Sequence, residues 1–85
     1  KKLAEKELYI ADFYFKKKQY TASLARYEHL LKEYKGLGYD EKALARAAYS
    51  AHKVGNPQKS RQYADELAKF PSKSSDTQDL LREIR

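Results

Sequence analysis

The sequence predicts an all-α fold: two antiparallel helix pairs followed by a polar C-terminal capping helix. Three observations lead there. Apolar residues recur three and four apart, helix-stopping and helix-starting residues stand between those runs, and the chain superposes on itself at a shift of 36 residues.

The first run contains "LYIADFYF", residues 8 to 15, apolar and aromatic around the single carboxylate of Asp12. As a strand it would bury Asp12 on one face with Leu8, Ile10 and Tyr14, which is costly for an unpaired charge. As a helix extended through "KKLAEKE" and "KKKQ", it aligns Leu3, Ile10 and Tyr14 in one stripe with Ala4, Leu8, Ala11 and Phe15 beside it. Lys2, Glu5 and Lys16 then face water. An apolar arc that wide is touched on more than one side, as an inner helix of a stacked array is, and its exposed part offers a surface for a second copy.

The remaining boundaries follow in order. Thr21 is a candidate cap for "ASLARYEHLLKEY", with Leu24, Tyr27, Leu31 and Tyr34 apolar, and the glycines of "KGLG" stop it. Asp40 is a candidate cap for "EKALARAAYSAHKV", with Leu44, Ala47, Ala48 and Ala51 apolar and Gly55 as its stop. Asn56 and Pro57 form a cap and first-turn pair for "QKSRQYADELAKF", which Pro71 and Ser72 end. Ser75 with Gln78 reads as a capping box for "DTQDLLREIR".

The shift of 36 places "EKELYIADFYFKKK" on "EKALARAAYSAHKV" and "RYEHLLKEYK" on "QYADELAKFP". Tyr27 falls on Tyr63 and Leu31 on Leu67. A mid-thirties period built of helix hairpins resembles the tetratricopeptide class of α-solenoid, in which each hairpin buries its face against the next. The expected division is one repeat domain over 1–85: a first hairpin over 1–38, a second over 39–71, and a linker with capping helix over 72–85. The opening without methionine reads as a C-terminal fragment of a longer protein.

Composition bounds the function. A chain of 85 residues buries only about 60% of its unfolded surface, so its stability rests on close local packing. With no cysteine it has neither disulfides nor thiolate metal sites. The net charge of +6 arises from interspersed signs, lysine outnumbers arginine, and only Lys16, Lys17 and Lys18 cluster. That pattern reads as a solvated surface and speaks against nucleic acid, whose readers lean on arginine forks. A basic surface meeting anionic lipid or nucleic acid would show itself by steep salt dependence. His29 and His52 sit on different helices without ligand-spaced partners, and "GLG" is too short to cradle phosphate. No catalytic, cofactor or metal site is expected. Asp12 reads as an ordinary helical pair with Lys16, one turn on, or as a buried functional acid.

Residues 3 to 35, "LAEKELYIADFYFKKKQYTASLARYEHLLKEYK", resemble the C-terminal repeats of the BamD-type (YfiO/ComL) outer-membrane assembly lipoproteins. The positions that carry the resemblance are Leu3, Ala4, Glu7, the run from Ile10 to Tyr14, Lys17, Tyr20, Ala22, Arg26 and Tyr34. Lys18 departs from a favoured glycine and Lys35 from a favoured proline. Residues 40 to 71 fit only the generic repeat pattern, and 72 to 85 fit nothing specific.

The resemblance implies a non-enzymatic periplasmic scaffold at the outer membrane, tethered only through an N-terminal lipid anchor absent here. Its implied partners are the periplasmic POTRA domains of the barrel-inserting protein and other assembly lipoproteins. Arg26 would grip a partner carboxylate, or else pair with Glu33 or another neighbour as an ordinary surface arginine. The alternative is a generic tetratricopeptide adaptor. Its concave face, lined by Tyr9, Asp12, Lys16 and Arg46, would hold an extended peptide or chain end.

Overall fold

A computed structural model describes residues 2–71 and 73–84, and among them every regular element is a helix. The five are α1 (Lys2–Lys16), α2 (Tyr20–Glu33), α3 (Asp40–Lys53), α4 (Pro57–Leu67) and α5 (Ser75–Ile84). Consecutive helices from α1 to α4 pack on one another, α5 returns to lie on α3, and α1 touches α3 across the hairpin boundary. This is the expected all-α, tetratricopeptide-like arrangement.

The core follows from side-chain size. In α3, Ala43, Ala45, Ala47, Ala48 and Ala51 are all buried, so backbones approach α3 closely from several sides. Ser23 of α2 and Ser50 of α3, both fully buried, bond through their hydroxyls at 2.7 Å, which satisfies the polar atoms at that tight crossing. One cluster joins Ala4 and Ala11 of α1 to Leu24, Tyr27 and Leu30 of α2 and to Ala43, Ala47 and Ala51 of α3. A second gathers Leu44, Ala45 and Leu67, with Leu80 and Leu81 of α5 packed against them.

The two hairpins are joined alike at their tips. Gln19 N–H donates to the Tyr14 carbonyl at 2.9 Å and Lys18 N–H to that of Phe15 at 3.0 Å. Asn56 N–H and Gly55 N–H repeat the pattern on Ala51 and His52, at 2.8 and 3.2 Å. Both are Schellman closures, with Lys18 and Gly55 left-handed at φ 62° and 82°. The structural repeat is therefore 37 residues, one more than the superposition by side-chain type. At 37, Ser23 falls on Ser60 and Leu30 on Leu67, all four buried. The shift of 36 paired residues of like type, such as Tyr27 with Tyr63, that sit one position apart in the structural register.

Several boundaries differ from expectation. Thr21 does not cap α2, which begins at Tyr20 with Gln19 in the cap position and no side-chain bond there. Asp40 is the first residue of α3 and not its cap; its carboxylate instead accepts from Gly36 N–H at 3.0 Å and staples the α2–α3 loop. Asn56 caps α4 as expected, accepting from Lys59 N–H at 3.1 Å. Helix α4 stops at Leu67, and the turns that follow bond Lys69 and Phe70 N–H to Glu66 and Leu67. Ser72, expected to help end α4, and Arg85, expected to end the last helix, lie outside the described residues.

The cap of α5 sits one residue early, at Ser74, and the reciprocal half of the expected capping box is absent, because Ser74 N–H donates to Glu41 at 2.6 Å. Ser74 Oγ accepts from Thr77 N–H at 3.3 Å, and the Gln78 side chain donates to the Lys73 carbonyl at 3.0 Å. On α1 the buried stripe is Ala4, Ala11, Leu8 and Phe15, while Leu3 of the other stripe is 67% exposed.

Candidate protein-docking site

Asp12 does not pair with Lys16. Three residues from the neighbouring helices converge on it: the Tyr27 hydroxyl of α2 donates to Oδ1, Arg46 Nη1 of α3 lies 2.9 Å from the same oxygen, and Lys42 Nζ is 3.1 Å from Oδ2. The side chains of Asp12 and Arg46 are only 17% and 16% exposed, so the pair is largely withdrawn from water. The Arg46 guanidinium also lies over the Phe15 ring, 4.8 Å from its centroid, and Phe15 meets Tyr20, Tyr27 and Tyr49 edge to face. Burial first, and then the bond to Asp12, push the Tyr27 phenol well above its ordinary range, so it remains a proton donor.

Arg26 lies on another flank of α2. Its Nη1 is 3.7 Å from Oε1 of Glu7, and His29 Nδ1 is 3.4 Å from that same oxygen. The neighbour is Glu7 on α1 and not Glu33. Glu7 Oε1 is closed to solvent and accepts no properly formed hydrogen bond, so it aims the guanidinium without saturating it. With 44% of its side chain exposed, Arg26 remains open to solvent.

Of the five residues expected to bind a partner, the structure brings Asp12 and Arg46 together and leaves Arg26 apart beside Glu7. Tyr9, 73% exposed, and Lys16, also exposed, share a helical stripe with Asp12 at spacings of three and four. Composition and helix spacing alone missed Lys42 and the hydroxyl of Tyr27, whose polar role lies behind its core position. Among the described residues no helix is long and apolar enough to cross a membrane, and no three His, Cys, Asp or Glu side chains gather as a metal ion would need.

Fold and site define a helical-repeat chain whose neighbouring helices are tied by part-buried ion pairs and whose outer faces carry charged and aromatic side chains. The chain belongs to the YfiO family of outer-membrane lipoproteins, which matches residues 1–67. That match runs through α1 to α4 and leaves α5 outside; it reaches well past the residues that carry the specific motif. Searches of curated proteins and of solved structures return no match to the chain.

Proposed function

We propose that this chain is a non-catalytic scaffold of outer-membrane β-barrel assembly, working in the periplasm and docking on POTRA domains of the barrel-inserting partner. Membership of an outer-membrane lipoprotein family supports the setting. The observation that carries the docking role is Arg26, aimed by Glu7 at 3.7 Å and yet 44% exposed. A guanidinium held so loosely has donors left for a bidentate bond to a partner carboxylate.

Calorimetric titration with the membrane-proximal POTRA domain from the same organism tests the reading. Saturable binding that weakens at least tenfold in Arg26→Ala, about 1.4 kcal/mol, is expected. Affinity unchanged within a factor of two would remove Arg26 from the interface.

The adaptor reading draws on a different observation. Tyr9 and Lys16 are exposed on one stripe of α1, and Lys16 makes no ion pair among the described residues. Asp12 and Arg46 contribute less to that reading than the sequence suggests, because they satisfy each other.

A further inference from the structure

The flank of α2 turned toward α4 carries a surface that the Arg26 site does not use. Between α2, the start of α3 and the end of α4 runs a groove of about 430 Å³, a size that takes one or two large side chains. Leu31, Leu44 and Phe70 form its apolar floor, and Lys32, Lys35 and Lys69 stand at its rim.

The charge at that rim is less balanced than its residue types suggest. Glu28 is already occupied, accepting from Lys59 Nζ at 2.8 Å and from the Tyr63 hydroxyl. Asp40 is held by Gly36 N–H. Lys32, Lys35 and Lys69 enter no ion pair among the described residues, and the one unengaged carboxylate facing them is Glu66. Three unpaired cations stand against Glu66 and Asp40, whose bond to a neutral backbone N–H leaves its charge in place, and that positive excess over an aliphatic floor favours an occupant that is both apolar and acidic. Lysine point charges and leucine side chains suit carboxylates on a peptide better than the planar, forked contacts that bases and phosphates call for.

We propose that the groove between α2, α3 and α4 is a second docking surface, for an acidic amphipathic peptide segment of another protein. A large apolar side chain of that segment seats on Leu31, Leu44 and Phe70, and flanking carboxylates meet Lys32, Lys35 and Lys69. The surface lies on the opposite flank of α2 from Arg26, so it does not rest on the POTRA reading, and two partners can be held at once.

The test is a nuclear magnetic resonance titration of the isotopically labelled chain. The probe is an amide-capped ten-residue peptide alternating glutamate and leucine around one phenylalanine. Saturable amide shifts centred on Leu31, Leu44 and Phe70 are expected. Binding should weaken at least tenfold when Lys35→Glu and Lys69→Glu are combined, and should stay within a factor of two in Arg26→Ala. Both lysines are exposed, so the helical circular dichroism should be unchanged by reversing them.

An all-glutamate peptide of equal length separates the groove from bulk charge on the unsubstituted chain. Equal affinity for that peptide would overturn the proposal. So would the absence of saturable shifts, shifts gathered around Tyr9 and Lys16 instead, or indifference to the charge reversal.

Discussion

Asp12 is the residue on which three helices agree. A carboxylate on α1 accepts from a tyrosine of α2 and meets two cations of α3, so removing it leaves a nearly buried guanidinium without its counter-charge. Deleting one member of such a set costs more than the pair contributes, because the orphaned charge stays desolvated. Asp12→Ala is expected to lower stability by about 2–3 kcal/mol in urea unfolding, with a non-additive coupling of about 1 kcal/mol to Tyr27→Phe. A loss below about 0.5 kcal/mol, the ordinary value for a surface change, would mean that the network is ornamental. Helix spacing reads Asp12 toward Lys16 because the i, i+4 rule sees only its own helix. The bond to Arg46 spans 34 positions in sequence, close to the repeat period, and that nearness is the signal by which first-helix residues of successive hairpins can be matched.

At the scale of elements, the two hairpin tips are one design executed with different residues. Each needs a left-handed residue at the closure and a cap immediately after it. The second tip has Gly55 and Asn56 there, while the first has Lys18 and Gln19. Lys18 holds φ 62°, where a Cβ is strained, and Gln19 sits at φ −91°, ψ 77°, close to the −115° and 79° of Asn56 but without a side-chain bond.

Transplanting the second tip into the first should therefore stabilise the chain. Lys18→Gly is expected to add about 0.5–1 kcal/mol, net of the freedom glycine gives the unfolded state, and Gln19→Asn a similar amount. A thermal or urea midpoint that falls in Lys18→Gly would show that the lysine side chain does more there than tolerate its backbone. The helices themselves were legible because their punctuation is strong: Asn56 with Pro57 and the stop at Gly55 stand where expected. The expected caps at Asp40 and Ser75 lie one residue inside their helices and that at Thr21 two residues past Gln19, since Ser, Thr and Asp are as acceptable just inside a helix as at its cap. The repeat was legible as well, but its register was not, because residues one position apart on a helix share much of the same face.

Over the whole molecule, tyrosine hydroxyls donating to carboxylates recur as the ties between helices. Tyr27 joins α2 to α1 through Asp12, Tyr63 joins α4 to α2 through Glu28, and Tyr49 joins α3 to α5 through Glu83. Each of these phenols has its pKa raised, by burial first and by its carboxylate partner second. The sign of the consequence follows from linkage. Below about pH 10, the ordinary phenol value, the hydroxyls are protonated in both states and the ties are fully present. Above it the unfolded chain releases protons that the fold retains, so stability falls as pH rises toward the raised values.

The loss approaches about 1.4 kcal/mol per pH unit for each phenol that stays protonated in the fold, with fully buried Tyr27 the strongest contributor and the more exposed Tyr63 and Tyr49 ties screened by solvent. Urea midpoints should therefore be flat from pH 7 to 9 and drop between pH 10 and 11.5. The decisive comparison is Tyr27→Phe, which removes one phenol and leaves every other titrating group in place. That variant starts lower, having lost its bond to Asp12, but should decline less steeply, and the two curves should converge with rising pH. Parallel curves would assign the alkaline loss to groups other than Tyr27 and remove its phenol from the linkage.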